Sequence, residues 1–122
     1  MGYMEEELRK FKIFSEISDK SISLIYKHGK VKKHVAGSII FLDKEHINLI
    51  YVVITGTVSL YKVNENGQKK VMFILDNGKI INEVIVQDFP QSINCETFED
   101  AEILEIDRDK FIDIMESDFQ LT

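Results

Sequence analysis

The stretch Tyr51-Val52-Val53-Ile54-Thr55-Gly56-Thr57-Val58-Ser59-Leu60 carries the clearest fold signal in this chain. From Ile47 to Ile54 the residues are apolar and often β-branched on both alternating faces: Ile50, Val52 and Ile54 on one, Leu49, Tyr51 and Val53 on the other. This pattern is typical of a strand that is buried on both sides. Gly56 interrupts the pattern before it resumes, which predicts a sharp corner between two strands.

Further strands are predicted on the C-terminal side of this stretch. Asn64-Glu65-Asn66-Gly67 predicts a hairpin turn, because Asn-Gly tolerates the positive φ that such turns require. The remaining predicted segments are the returning strand Val71 to Leu75, a turn at Asp76-Asn77-Gly78, a strand from Lys79 to Asn82, and a last pair formed by Ser92 to Phe98 and Ala101 to Ile106. Many short strands at this spacing indicate a sandwich or barrel rather than a βαβ fold.

Both ends of the chain are predicted to be helical. Near the N-terminus, Leu8, Phe11 and Phe14 recur at helical spacing. Ser18 is a good N-cap, Ile17 and Ile22 have the spacing of a hydrophobic staple, and Gly29 is a natural helix end.

The C-terminal helix is predicted to begin after Asp107, which is a plausible N-cap for the apolar stripe at Phe111, Ile114 and Met115. The whole chain is then one mainly β domain over residues 1–122. Helices lie at about 4–28, strands at about 30–106 and a final helix from about 108.

The overall composition excludes several classes of function. The 122 residues carry a formal net charge of −6, which argues against direct nucleic-acid binding by this chain. The basic clusters Lys27 to Lys33 and Lys69-Lys70 are interpreted as solvated faces or strand edges. No apolar run approaches the roughly 20 residues of a membrane span, and one cysteine excludes an internal disulfide. A cytoplasmic location is therefore expected.

The reactive residue types also fail to form a catalytic or metal-binding pattern. The histidines His28, His34 and His46 all precede the central strands, and no two are spaced to lie adjacent on one strand face. Cys95 lies on a predicted core strand and is interpreted as a small buried hydrophobe. There is no G-x-S-x-G motif and no nucleophile–base arrangement, so we predict that the chain is not an enzyme.

The order of helices, strands and helix resembles the cyclic-nucleotide-binding-domain family, including the sensory β-roll of catabolite-activator (Crp/Fnr) type regulators. Four segments carry the resemblance: Phe11 to Phe14 before Ile17-Ser18, Gly37-Ser38-Ile39-Ile40-Phe41, Tyr51 to Leu60, and Glu99-Asp100-Ala101-Glu102-Ile103-Leu104-Glu105-Ile106. Gly67 and Gly78 also fall at family positions. The resemblance implies an antiparallel double-stranded β-helix, or jelly-roll β-roll, with N-terminal helices and a C-terminal helix.

The resemblance also implies a ligand site. In the family, a cassette that begins with Gly-Glu and ends with Arg-Ser/Thr-Ala holds the ribose and the cyclic phosphate. The register set by Glu99-Asp100 places Asn82-Glu83 at the Gly-Glu position, with Val84 following, Gln91 at the Arg position and Ser92 at the Ser position. Glu83 and Ser92 match the family pattern. The glycine is replaced by Asn82, the arginine by Gln91, and the final alanine by Ile93.

The replacement of arginine by Gln91 removes the cation that would compensate a buried phosphate. Losing one partner of a buried charge pair costs on the order of 2–5 kcal/mol, or roughly thirty- to several-thousand-fold in affinity. Cyclic AMP and cyclic GMP are therefore expected to bind very weakly or not at all. Three alternatives stay open: a different small effector, a cyclic nucleotide held by unusual contacts, or a degenerate roll for dimerisation or docking.

The resulting prediction is a regulatory ligand-sensing domain, with the DNA-binding part of the regulator absent from this chain. The resemblance implies a small-molecule effector and a homodimer formed through the C-terminal helix. It implies no metal and no certain cofactor. The competing interpretation is a structural, dimerisation or docking module that has no nucleotide ligand.

Overall fold

The computed structural model describes residues 3–43, 45, 47–81 and 93–120. Its helices are α1 (Tyr3–Arg9), a 3₁₀ turn (Lys12–Phe14), α2 (Asp19–His28) and α3 (Arg108–Gln120). Its strands are β1 (Lys30–His34), β2 (Ile39–Phe41), β3 (Leu49–Thr55), β4 (Val58–Val63), β5 (Lys69–Leu75), β6 (Asn94–Thr97) and β7 (Ala101–Asp107).

The described strands form two antiparallel sheets. One sheet has the strand order β1-β7-β3, and the other has the order β2-β6-β4-β5. Every pairing between the named strands is antiparallel. The predicted fold class, a mainly β roll with helices at both ends, is therefore confirmed.

The three-stranded sheet is the middle layer of the molecule, because it contributes to two separate cores. Ile50, Val52 and Ile54 of β3 pack with the helices in one core. Tyr51 and Val53, which alternate with them, pack against the four-stranded sheet in the other core. This confirms the two-sided burial predicted for Ile47 to Ile54 and explains it: one face is covered by helices and the other by a second sheet.

The helix signals are confirmed by specific hydrogen bonds. The Ser18 side chain accepts a hydrogen bond from the Ser21 backbone N–H at 3.1 Å, as an N-cap does. At the other helix, Asp107 Oδ2 accepts from the Lys110 backbone N–H at 3.0 Å. Ile17 and Ile22 are both buried in the helix core, in agreement with the predicted staple.

The predicted strand from Lys79 to Asn82 is wrong for its described part. The Gly78 N–H donates to the Val53 carbonyl at 2.7 Å, and the Val53 N–H donates to the Lys79 carbonyl at 3.0 Å. Ile80 then makes only an isolated bridge with Val52. Ladder pairing does not continue because the backbone is already helical at Ile81, whose side chain is fully buried in the roll core. Asn82 lies outside the described residues.

The predicted last pair of strands is also wrong as a pair. β6 is hydrogen-bonded to β2 and β4, whereas β7 is hydrogen-bonded to β1 and β3. The turn at Glu99-Asp100 therefore carries the chain from one sheet to the other. Hydrophobic alternation alone predicts both strands correctly but does not say which neighbours they have.

Gly56 occupies the corner between β3 and β4 at a close approach of two chain segments. Its φ is +82°, which L side chains rarely adopt. A Cβ at this position would lie 2.2 Å from the Asp100 carbonyl oxygen and 2.8 Å from the Ala101 Cα. Both contacts are with backbone that belongs to the β6–β7 crossing, so neither can relax cheaply.

Replacing Gly56 with alanine is expected to destabilise the domain by about 3–5 kcal/mol, because it adds a steric clash to the positive-φ strain. Gly67→Ala is the matched control, since Gly67 has a φ of +77° but nothing within 4 Å of the added Cβ. That change should cost about 1–2 kcal/mol. Urea unfolding of both variants measures the difference, and equal losses would contradict the role of the contact with Asp100.

Candidate functional site

The interior of the roll is a continuous apolar cluster between the two sheets. Its buried members come from both sheets and from the segments that flank residues 82–92: Phe41, Tyr51, Val53, Val58, Leu60, Leu75, Ile81, Ile93, Cys95, Ala101 and Ile103. The Phe41 and Tyr51 rings lie 5.7 Å apart with a tilt of 33°.

The predicted cassette begins and ends on this cluster. Ile81 is fully buried and Ile93 is 3% exposed, and both belong to the roll core. The predicted site residues Asn82, Glu83, Val84, Gln91 and Ser92 lie outside the described residues. The structure therefore describes the residues on either side of positions 82–92, and both are buried in the roll core.

Polar groups beside the cluster are engaged by the protein itself. Asn94, which is buried, accepts a hydrogen bond on Oδ1 from the Asp43 N–H at 2.8 Å and donates from Nδ2 to the Tyr61 carbonyl at 3.3 Å. Among the described residues, no buried side-chain nitrogen or oxygen lacks a partner. The described part of the roll interior is therefore apolar, with its buried polar side-chain atoms already partnered within the protein.

Asn94 was not singled out by sequence reasoning, although a signal was present. It is a polar residue between Ile93 and Cys95 on a strand predicted to be buried. A buried side-chain amide is typically hydrogen-bonded. Asn94 bonds to the backbone N–H of Asp43 in a loop and to the carbonyl of Tyr61 in β4. Thr97 acts similarly, because its hydroxyl donates to the Val35 carbonyl at 2.7 Å and accepts from the Ser38 N–H at 2.9 Å.

The electrostatics of the cluster favour neutral groups. Burial raises the pKa of the Tyr51 hydroxyl, and the nearby carboxylates Glu105 and Glu45 raise it further. Burial likewise raises the pKa of the Cys95 thiol from 9.0 to about 12, with a smaller contribution from Glu96. The prediction that Cys95 is a small buried hydrophobe is confirmed by its full burial.

The cation closest in sequence before the cassette, Lys79, has an exposed side chain.

The C-terminal helix is tied to α2 by a buried carboxylate, Asp118, which sequence reasoning missed. Asp118 Oδ1 accepts hydrogen bonds from the Ser18 backbone N–H at 2.9 Å and from the Ser21 hydroxyl at 2.7 Å. The bond from Ser21, followed by those from Ser18, lowers the pKa of Asp118. A carboxylate at the first turn of α2 also suits the dipole of that helix.

The described residues contain no group of three or more His, Cys, Asp or Glu side chains arranged to hold a metal ion. In the same part of the chain, no helix is long and apolar enough to cross a membrane.

A model of the cyclic nucleotide-binding domain matches residues 31–118, and the chain therefore belongs to the cyclic nucleotide-binding domain family. No curated protein sequence matches it. The family consists of regulatory and sensor domains rather than enzymes.

Solved structures share the fold over nearly all of the chain. The sensor domain of the transcriptional regulator DNR from Pseudomonas aeruginosa superposes with a TM-score of 0.81 at 15% identity, covering 97% of this chain and 80% of that one. The Thermus thermophilus catabolite activator protein gives 0.67 at 20%, covering 91% and 50%. A regulatory subunit of a cAMP-independent protein kinase A from Trypanosoma brucei gives 0.74 at 12%, covering 94% and 45%. At these identities the likeness establishes the fold.

Cys95 is expected to make stability fall at high pH. The folded state keeps the thiol neutral up to about pH 12, whereas the unfolded thiol ionises near 9.0. The stabilisation is therefore complete below the unfolded pKa and is lost as pH rises above it. Between about pH 8 and about pH 10, wild type should lose about 1.4 kcal/mol more than Cys95→Ala. Urea unfolding at both pH values measures this, and parallel losses would contradict it.

The bond between Asp118 and Ser21 is expected to couple α3 to α2. Asp118→Ala and Ser21→Ala should each lower the melting temperature, and the double variant should lose less than the sum, because both remove the hydrogen bond between Ser21 Oγ and Asp118 Oδ1. The depressed pKa means that this stabilisation is present above the ordinary carboxyl pKa of 3.8 and is lost as pH falls through the lower folded value. Additive losses in a double-mutant cycle at neutral pH would contradict the coupling.

Proposed function

We propose that this chain is the effector domain of a Crp/Fnr-type transcription regulator. In this proposal a small molecule binds against the roll core and is held by the segment between Ile81 and Ile93. The observation that carries it is the burial of Ile81 and Ile93 in the same interior cluster, within a chain whose family match spans residues 31–118. Ligand sites are commonly lined by apolar side chains with a few polar groups, and the two described ends of this segment belong to such an apolar cluster.

The proposed effector is an organic molecule that carries less negative charge than a cyclic nucleotide, so that it depends less on a buried cation for neutralisation. The described surface is apolar, with its buried polar atoms already partnered. Gln91 can donate a hydrogen bond but cannot neutralise a phosphate, and Lys79 has an exposed side chain. Glu83 would accept a hydrogen bond from a ligand hydroxyl, and Ser92 would supply a further polar contact.

The proposed output is a change in the position of α3. β7 connects the two regions directly, because Ala101 and Ile103 face the roll core while Leu104 and Ile106 face the helix core. α3 begins at Arg108, immediately after β7. A ligand that prefers one arrangement of the roll would shift the population of α3 positions by its difference in affinity.

The second candidate function is a structural or docking module without a ligand. It is favoured by one observation: the described part of the roll interior consists of buried side chains, and its buried polar atoms are all satisfied. An interior of this kind is stable without a ligand. The two functions differ in whether any small molecule stabilises the folded state.

A thermal-shift screen of nucleotides and small metabolites distinguishes them. At least one compound should stabilise the wild type, by about 2.7 kcal/mol at a hundredfold excess over Kd, and Glu83→Ala should reduce the shift. Cyclic AMP should shift Gln91→Arg far more than wild type, because the added cation compensates the phosphate. Gln91→Leu is the matched control.

Two outcomes would contradict parts of this proposal. If no compound shifts wild type, the docking module is the better description. If calorimetry gives a wild-type affinity for cyclic AMP or cyclic GMP in the low-micromolar range, the argument from the missing cation is wrong.

A further inference from the structure

The outer edge of β5 differs from the other outer edges in the described sheets. β1 carries Lys30, Lys32 and Lys33 on a five-residue edge strand, and β2 has only three residues. The outer side of β3 is partly covered, because Val53 exchanges backbone hydrogen bonds with residues 78 and 79 and Val52 bridges to residue 80. Charged and very short edges are the usual protections against pairing with another chain. β5 is seven residues long, and no described strand is hydrogen-bonded to its outer side. Its two lysines, Lys69 and Lys70, are its first two residues.

The middle of β5 exposes apolar side chains on both of its faces. Val71 is 45% exposed, Phe73 is 38% exposed and Ile74 is 53% exposed. Phe73 lies opposite Leu60, which belongs to the roll core, whereas Ile74 lies opposite Ser59. Successive residues of a strand point to opposite faces. A partner lying flat on one face of the sheet would therefore cover the exposed apolar side chains of that face and leave those of the other face in solvent. A strand added at the edge would contact the side chains of both faces.

The charges at the two ends of β5 suit a second copy of the same strand. Lys69 is already engaged, because its Nζ pairs with Glu96 and lies 4.4 Å from the centre of the Tyr61 ring. Lys70 and Asp76 are both exposed. Within the part of the chain that the structure describes, neither side chain has an ion-pair partner. In an antiparallel pair of copies, Lys70 of each copy would lie beside Asp76 of the other copy.

We propose that two copies of this chain pair through β5, in antiparallel orientation, to form one continuous sheet. Lys70 then lies beside Asp76 of the partner subunit, and Phe73, midway between them in sequence, lies near the two-fold axis. The apolar residues Val71 and Ile74 lie beside the same strand in the partner. Such an interface is isologous and uses strand addition, in which main-chain hydrogen bonds supply affinity.

The dimer is expected to be weak, because one pair of seven-residue strands is smaller than the roughly 1,600 Å² of a standard stable interface. Sedimentation of the wild type from about 10 µM to about 1 mM should show a monomer that converts to a dimer as concentration rises. A monomer at every concentration would overturn the proposal, and it is also the result expected if β5 instead accepts a strand from a different protein.

The variant Val71→Lys with Ile74→Lys should stay monomeric over the whole range. The matched control is Val35→Lys, which changes a valine that is 70% exposed but lies in the β1–β2 turn, and it should dimerise like wild type. Dimerisation of the β5 variant at wild-type strength would overturn the proposal. Circular dichroism confirms that both variants are folded.

Cross-linking provides a test that does not depend on the lysine variants folding. Phe73→Cys should form a covalent dimer under mild oxidation, because the two thiols meet at the axis. Asn66→Cys, at the exposed tip of the β4–β5 hairpin, is the control for random collision. Native Cys95 is fully buried and does not compete. Equal cross-linking at positions 66 and 73, or none at 73, would overturn the proposed pairing.

Discussion

The burial of the three-stranded sheet on both faces is the constraint on which the rest of this structure depends. Leu104 and Ile106 of β7 enter the helix core, while Ala101 and Ile103 enter the roll core. β3 divides its side chains in the same way. The two cores therefore share one backbone ladder, and a displacement in either core strains the same hydrogen bonds. The helices, the central sheet and the rest of the roll keep fixed positions relative to one another because β3 and β7 contribute to both cores.

The helices at the two ends of the chain are held together on the outer side of that sheet. Phe14 and Phe111 meet edge to face at 6.5 Å, which joins the N-terminal 3₁₀ turn to α3. Asp118 adds a polar contact to the first turn of α2. The helical layer is thus a single packed unit, and α3 is attached both to it and, through β7, to the roll. This connection is the basis on which α3 is proposed as the output element.

The candidate site combines a prepared apolar surface with a divergent set of polar residues. Family membership supplies the expectation of a small-molecule effector, while Gln91 in place of an arginine argues against a strongly anionic one. The high pKa of the Cys95 thiol and of the Tyr51 hydroxyl shows that the roll core disfavours charge. In the proposed function, an effector would gain mainly from apolar contact, and Glu83 and Ser92 are the residues proposed to orient it.

Much of this architecture could be predicted from the sequence, since it depends on local patterns. The alternation around Val52 requires a strand buried on both faces, Ser18 and Asp107 cap helices through their own side chains, and Gly56 marks a corner only glycine fits. The cassette residues could be predicted only by resemblance to a family.

Tertiary structure decided which distant segments meet. Equivalent alternation in β6 and β7 cannot show that they belong to different sheets, and apolar residues from Lys79 onward cannot show that Ile81 leaves the ladder for the core. Asp118 looks like an ordinary surface acid until α2 is placed beside it. Pairing and burial depend on partners far apart in the chain, so they are properties of the folded molecule and not of any one segment.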